Sequence, residues 1–470
     1  MTPEHYREQP DFRGVRVTVV GLGVEGIDLV RYLSAEGARV TVSDARPAEA
    51  LGEALDAIAD AGASLSLGTN RSQDIATAEY VFVSQGVPED LPALRAARAN
   101  GVPISSMTRL FLDRCTAPVA GVTGSSGKTT TVALVGAMLE AAGIDHVVGG
   151  NIGVGLLGLL DRIDGDTRVV VELSHTQLAS LERSPQLACI TNVTPNHLDR
   201  YSWDSYVALK RRAFEFQHDD DIAIFNLDDE VCAGFAAEAP AGVACTSASR
   251  RLPGDGVALE GETVVRRHGG VAHEVMSVAD IPLRGQHNVA NVLSAVAVAS
   301  RLGVGDEHAA RAVRGFGGVP HRLEPVATVR GALYVNDSIA TTPERALAGI
   351  RSFQQPLVLL IGGREKQLPL RDLAAEAAAH CRAVITFGEA AELFASVIRD
   401  ARNARGSSDA EPVVELDVDV AAAVATATRH ARDGDVVLFS PAGTSFDAYP
   451  NFERRGEDFR RAVAGLEGDA

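Results

Sequence analysis

Short runs rich in valine and isoleucine alternate along the chain with longer stretches of alanine, leucine and arginine. VRVTVV (15–20), ARVTVS (38–43) and EYVFVS, starting at Glu79, stand near the beginning. APVAGVT (117–123), RVVVEL (168–173), LACITNV (187–193) and DIAIFNL (221–227) follow. GALYVND (331–337), PLVLLIGG (356–363), RAVITFG (382–388) and DVVLFSP (435–441) close the series. This rhythm predicts strand–helix repeats around parallel sheets, an α/β fold. The less regular stretch 241–280 is expected to form a small antiparallel piece. Boundaries fall near Thr116 and near Gly318, the second after the glycine-rich GFGGVP, which reads as a hinge. The segments are then 1–115, 116–318 and 319–470.

With 470 residues the chain is long enough for several domains with sizeable cores. No apolar run approaches the roughly 20 residues needed to span a bilayer, and the first residues, MTPEHYREQPDF, hold no apolar signal core. The five cysteines are scattered without paired spacing, as expected of reduced thiols in a cytoplasmic protein. A net charge of −18 argues against nucleic acid as a partner, although local glycine loops and a few cations can still hold small anions. No membrane partner is indicated. Nothing suggests a coiled coil, so a monomer is expected.

Two glycine loops carry the chemistry. In VTVVGLGVEGIDLVRYL a strand leads through Gly21, Gly23 and Gly26 into a helix, and Asp44 ends the next strand. This is a dinucleotide-fold fingerprint in its proper context. Alone it suggests an NAD-binding domain, with a βα turn that binds nothing as the plainer alternative. In GVTGSSGKTTTVALV a second strand enters a helix through Gly124, Ser125, Ser126 and Gly127. Backbone N–H groups there would surround ATP phosphates, Lys128 would neutralise them, and Thr129 or Thr130 would ligate Mg²⁺. The strict phosphate-loop pattern has glycine where this chain has Val122, so the loop is a variant. A dehydrogenase needs only the first loop and a kinase only the second. Their combination suggests that one nucleotide is a donor and the other a handle on the substrate.

Glu172, at the end of RVVVEL, is placed for Mg²⁺ beside the phosphate loop, the alternative being a solvated or capped carboxylate. TNVTPNHLDRY brings His197 to a loop at the same sheet edge, as a metal or substrate ligand or as a structural histidine. Lys210, in YVALKRRAF, reads from spacing alone as a solvated helix residue.

These motifs, taken in order, resemble the Mur ligases, and within them the glutamate-adding members. GLGVEG with SDAR, then GVTGSSGKTTT, GGNIG, VELSHTQL, PNHLDRY and YVALK, then RGQHNVAN, GVPHRLE, VNDSIATTP, GGREK and SPAGTSFDAYPNFERRGEDF run nearly end to end. The resemblance implies three domains: a Rossmann-like domain for a uridine nucleotide, a central P-loop ATPase domain with a parallel sheet, and a Rossmann-like C-terminal domain. It implies a cytoplasmic enzyme of peptidoglycan synthesis that uses ATP and Mg²⁺ to join D-glutamate to UDP-N-acetylmuramoyl-L-alanine through an acyl phosphate. Gly23, Asp44, Arg46, Ser84 and Gly86 would then hold the UDP-sugar, with Asn151 and His197 near its reacting end. Glu172, Thr129 and His197 would serve the metals. Lys210 would support a metal once carbamylated, and Lys128 would be catalytic with His197. Asn288, Asn291, Arg322 and Asp337 would contact the adenine nucleotide. Thr341, Lys366, Ser445 and Phe452 would surround glutamate. The hinge near 316–320 would let the last domain deliver it.

The chain departs from the family pattern at Ser126, usually asparagine, at His175-Thr176 in ELSHTQL, usually ELSSFQL, and at Ile339, usually lysine. Ile339 cannot screen an anion. The same scaffold adding L-glutamate or another amino acid therefore stays open, as do an NAD-dependent oxidoreductase and an ATP-gated binding protein without chemistry. His175 reads as a packing or surface histidine.

Overall fold

The protein is described from a computed structural model covering residues 10–88, 90–151, 155–196, 200–283, 285–365, 368–405 and 411–467. It divides into two compact units, Met1–Phe316 and Gly317–Ala470.

The first unit holds two sheets. Strands β1 (Arg16–Val20), β2 (Arg39–Asp44), β3 (Ser64–Leu67), β4 (Tyr80–Val83) and β5 (Ile104–Ser105) lie in the order β3-β2-β1-β4-β5, all parallel. The second sheet contains β6 (Val119–Thr123), β7 (His146–Gly150), β8 (Arg168–Glu172), β9 (Leu187–Ile190), β10 (Ile222–Asn226), β11 (Gly242–Ser247), β12 (Gly256–Glu260), β13 (Thr263–His268) and β14 (Val271–Ser277). Its order is β14-β13-β12-β11-β10-β9-β6-β8-β7. From β7 to β12 neighbours run parallel, and β12, β13 and β14 pair antiparallel, so 241–280 does supply the antiparallel piece.

The second unit carries β15 (Glu324–Val329), β16 (Ala332–Asn336), β17 (Leu357–Gly362), β18 (Cys381–Phe387), β19 (Val413–Asp417) and β20 (Val436–Ala442). They are ordered β15-β16-β20-β17-β18-β19, and only β15 runs antiparallel to its neighbour.

Central strands of a parallel sheet are covered on both faces, so they read as unbroken apolar runs. All residues of β17 and β20 are buried. Every apolar run picked out from the sequence is a strand. The strands that escaped are edge or half-exposed ones: SLSL in β3 leaves two serine- and leucine-bearing positions open to water, and β5 has two residues.

The topology matters for function because loops at the carboxyl ends of adjacent parallel strands converge. In the first sheet these are the ends of β1, β2 and β4. In the second they are the ends of β6, β8 and β9, and in the third those of β16, β20 and β17.

Candidate active site

The loop after β1 is built for close backbone approach. Gly21 has φ +89°, and a Cβ on Gly26 would lie 2.1 Å from the Gly21 carbonyl oxygen. Gly23 precedes the helix Val24–Ala35. Ser84, buried at the end of β4, lies against the loop, its Oγ 3.7 Å from where a Gly23 Cβ would stand. Gly86 follows with φ +89°. Asp44 accepts from the Leu22 N–H at 2.8 Å and pairs with the half-exposed Arg46 at 2.7 Å. Burial raises the pKa of Asp44, but the Arg46 side chain and the Leu22 and Arg46 backbone N–H groups outweigh it and hold the carboxyl below its usual range. The glycine loop is thus tied to β2 through an ionised Asp44, leaving Arg46 at the rim.

The phosphate loop after β6 also has no room for side chains. A Cβ on Gly124 (φ +152°) would lie 2.0 Å from Thr191 Oγ1, and one on Gly127 (φ +81°) 2.2 Å from Asn291 Oδ1. Ser125 Oγ donates to the Thr194 carbonyl at 2.9 Å and lies 3.0 Å from the Tyr206 hydroxyl. The Ser126 N–H donates to Asn192 Oδ1 at 3.0 Å, so the residue that departs from the family pattern is still held in the loop. Thr129 and Thr130 occupy the first turn of the helix Lys128–Ala141.

Two lysines meet at this loop. Lys128 Nζ donates to the carbonyls of Gly124 at 2.9 Å and Ser125 at 3.2 Å. Lys210 Nζ donates to the same Gly124 oxygen at 2.9 Å and to Thr123 Oγ1 at 3.2 Å. Lys210 is only 1% exposed, and its Nζ lies 5.3 Å over the Tyr206 ring. Burial first, and the Lys128 charge second, push its pKa well below the usual lysine value, against an opposing pull from Glu172. The solvated helix lysine suggested by spacing is in fact a buried one. It points inward because the helix Trp203–Arg211 packs its Tyr206 and Lys210 side beneath the loop.

Glu172 ends β8 in register with Val122 of β6 and Gly150 of β7. Its Oε1 accepts from Asn151 Nδ2 at 2.9 Å. Its Oε2 is buried with no hydrogen-bond partner among the described residues. A lone carboxylate with an unused oxygen suits a magnesium ion that takes most of its ligands from phosphates and water. No group of three His, Cys, Asp or Glu side chains forms a ready metal centre among the described residues. Asn288 and Asn291, joined at 3.1 Å on the helix Gln286–Arg301, complete the cradle, Asn291 standing against Gly127.

In the second unit the loops after β16, β17 and β20 are laced together. The Ala442 N–H donates to the Ala340 carbonyl at 2.8 Å, and Arg364 and Thr444 exchange backbone hydrogen bonds. Beneath them lies Arg455, with no exposed surface. It donates to Ser338 Oγ and O and to the Gly443 carbonyl, at 2.9–3.2 Å. Burial lowers its pKa to about 10 against the pull of Asp447 and Tyr449. Ser338 Oγ in turn donates to the Phe452 carbonyl at 2.8 Å. Asp337 accepts from Ser440 Oγ at 2.8 Å and from the Leu323 N–H at 3.2 Å. Burial pushes its pKa up to about 6, against those bonds and the charges of Arg322 and Arg345. Ser445 is buried in the β20 loop, and Thr341 lies in the β16 loop, its N–H donating to the Ile339 carbonyl.

Known proteins are similar to this chain. Residues 122–299 match the Mur ligase middle domain, 321–443 the Mur ligase glutamate ligase domain, and 15–106 the MurD-like N-terminal domain. A UDP-N-acetylmuramoylalanine–D-glutamate ligase of Symbiobacterium thermophilum is 40% identical over 454 residues, spanning 96% of this chain and 98% of the relative. This chain belongs to the Mur ligase family. A second relative of the same name, from Roseiflexus sp., is 38% identical over 96% of this chain and 98% of its own. Among solved structures, UDP-N-acetylmuramate–alanine ligase MurC of Thermotoga maritima aligns with a TM-score of 0.57 at 18% identity, covering 97% of this chain and all of that one. The Mur ligase fold is therefore the fold of this chain.

Within this Mur ligase, the residues singled out from sequence gather in three places. Gly23, Asp44, Arg46, Ser84 and Gly86 meet at the first loop. Gly124 to Thr130, Asn151, Glu172, Lys210, Asn288 and Asn291 meet at the second. Arg322, Asp337, Thr341, Ser445 and Phe452 belong to the second unit. His197 and Lys366 lie outside the described residues. His175 packs as expected, its ring 5.6 Å from that of Tyr201 and 6.3 Å from that of Tyr206. Sequence reasoning passed over Arg455, which in FERRGEDF looks like one more surface charge. It also passed over a part-buried hydrogen-bond network in the first unit. Glu25 there accepts from Gln85 Nε2 at 2.7 Å and Gln177 Nε2 at 2.9 Å, and Thr176 Oγ1 donates to Gln85. The network joins the first glycine loop's helix to the segment just after Glu172. Thr176, a departure from the family pattern, is thus a working member of it.

Proposed function

We propose that this Mur ligase adds D-glutamate to UDP-N-acetylmuramoyl-L-alanine with hydrolysis of ATP, through an acyl phosphate, in peptidoglycan synthesis. The observation that carries the chemistry is the pair of lysines on one carbonyl oxygen: Lys128 and Lys210 both donate to Gly124. Two ammonium groups on one acceptor repel each other. Phosphates entering the loop would offset the Lys128 charge. Lys210, buried and easily deprotonated, is matched when its neutral amine adds carbon dioxide and becomes an anionic carbamate. The loop then presents a phosphate-binding cation above a newly made carboxylate-like ligand, across from Glu172.

The reaction joins two anions, so charge must be screened where they approach. Bound magnesium would supply that screening between the γ-phosphate and the L-alanyl carboxylate, with Glu172, Thr129, His197 and the Lys210 carbamate as its protein ligands. Lys128 and the N–H groups of 125–130 hold the phosphates. Asn151 fixes Glu172 by donating to Oε1. Asn288 and Asn291 serve the adenine nucleotide. The first glycine loop, with Ser84, Gly86, Asp44 and Arg46, holds the uridine nucleotide. The carboxylate oxygen takes the γ-phosphoryl group as the bond from the γ-phosphorus to the bridging oxygen breaks and ADP leaves. The glutamate amine then attacks the acyl carbon. The C–N bond forms, the C–O bond to phosphate breaks with its electron pair on phosphate, and the amine loses one proton. Thr341, Lys366, Ser445 and Phe452 hold the amino acid.

The test is incubation with ATP, Mg²⁺, UDP-N-acetylmuramoyl-L-alanine and either D- or L-glutamate, following phosphate release and product mass. A product heavier by one glutamate residue, formed with the D-enantiomer, is expected. Phosphate release only with L-glutamate would reassign the amino acid, and release without glutamate would reject the ligase reaction.

A further inference from the structure

The loop after β16 holds isoleucine where the family pattern has lysine, and its backbone leaves that residue little freedom. The Ile339 N–H donates to the His321 carbonyl at 3.1 Å, and the following Ala340 carbonyl is taken by Ala442. An aliphatic side chain there supplies no charge, while glutamate brings two carboxylates. Lys366 can answer one of them.

Arg345 stands where a second cation is missing. It lies in the helix Pro343–Arg351, and its Nη1 reaches back to the Ile339 carbonyl at 3.4 Å. Its side chain is exposed. It makes no ion pair among the described residues. Neighbouring arginines differ in this respect: Arg351 is paired with Glu376 at 2.6 Å and Arg364 with Glu389 at 2.9 Å, while Arg455 is sealed beneath the loops. A guanidinium anchored through one N–H keeps further donors in a planar fork that matches a carboxylate.

We infer that Arg345 receives a carboxylate of the incoming amino acid, replacing from the next helix the cation that Ile339 removes from the loop. The assignment rests on the ligase reaction proposed above and adds to it a residue that sets specificity for an acidic amino acid.

The test compares Arg345→Gln, Ile339→Lys and the double variant with the unaltered enzyme in the phosphate-release assay. Loss of one charge-assisted hydrogen-bond pair raises KM for glutamate by about 10- to 100-fold in Arg345→Gln. KM values for ATP and the UDP-sugar stay put, as does the melting temperature. In the double variant Ile339→Lys returns the cation to the loop and recovers most of the lost affinity. An unchanged KM for glutamate in Arg345→Gln overturns the assignment. So does an equal rise in all three KM values, or a loss that Ile339→Lys does not repair. Failure of the unaltered enzyme to release phosphate in a glutamate-dependent way would instead remove the ligase reaction itself.

Discussion

Replacing Lys210 by methionine separates a catalytic amine from a structural one. The Nζ atoms of Lys128 and Lys210 each lie 2.9 Å from the Gly124 oxygen, so they are no farther apart than twice that distance. Two unit charges at that separation repel by about 3 kcal/mol at an effective dielectric constant of about 20. Burial adds to the cost of charging Lys210 and is the larger cause of its lowered pKa. The folded-state pKa lies below the ordinary 10.5, so between the two values the unfolded chain binds more protons than the folded one. Stability therefore rises with pH across that window, and below the folded pKa the full penalty applies. Methionine has similar length and no charge, so Lys210→Met removes the penalty. In urea unfolding without dissolved carbon dioxide, its midpoint is expected to equal or exceed that of the unaltered protein, with a flatter dependence on alkaline pH. Bicarbonate should raise the melting temperature of the unaltered protein only. Turnover is expected to fall by about 10- to 100-fold, the usual cost of losing a group that supports a metal site. Acetate or propionate should restore part of it by filling the space of the carbamate. Full turnover in Lys210→Met would refute the catalytic role. A destabilisation above about 2 kcal/mol would refute the charge argument, since it would mean the ammonium form is favoured by the fold.

Three further outcomes follow from the same geometry. Gly124→Ala places a Cβ 2.0 Å from Thr191 Oγ1 at φ +152°, so ATP affinity measured by calorimetry should collapse while UDP-sugar binding persists. Glu172→Gln keeps the bond to Asn151 in kind but removes the charge at the unpartnered oxygen, and should raise the Mg²⁺ concentration for half-maximal rate by about 10- to 100-fold. Asp337 has its pKa raised from 3.8 to about 6, so its contribution to stability is present below pH 3.8 and lost as pH rises through 6. Asp337→Asn should flatten stability over that interval in pH-dependent urea titrations, by up to about 3 kcal/mol; an unchanged pH profile would show that the carboxyl ionises freely.

Fold class was legible in the chain because buried parallel strands are written as apolar runs, and both glycine loops were legible because only glycine tolerates their backbone. Lys210 was not, since a lysine among arginines carries no mark of which way its helix turns. Only the packing of Tyr206 against the loop shows that it points inward. Arg455 failed for the same reason: FERRGEDF has the composition of a surface, and the burial of one of its two arginines depends on two loops from strands distant in sequence. Asn151 was expected near substrate, and the structure adds that its amide orients Glu172. Side-chain pairing across the sheet edge is the information that a single sequence lacks.

The acidic balance of the chain bears on how it handles anionic substrates. With 62 acidic residues against 44 basic ones, an average surface cation finds a carboxylate nearby. Arg13, Arg211, Arg266 and Arg382 all do. Arg455 instead bonds to carbonyl and hydroxyl oxygens, and Arg345 to a carbonyl alone. Such oxygens fix the position of a cation without cancelling its charge. The acidic surface then repels stray anions, while the few uncancelled cations, set at the carboxyl ends of the strands, keep their full pull for phosphates and carboxylates that fit the loops. Adding an acidic partner to one of them, for example Ile339→Glu beside Arg345, should therefore weaken glutamate binding more than deleting the arginine does, because it cancels the cation and adds a charge that repels the substrate.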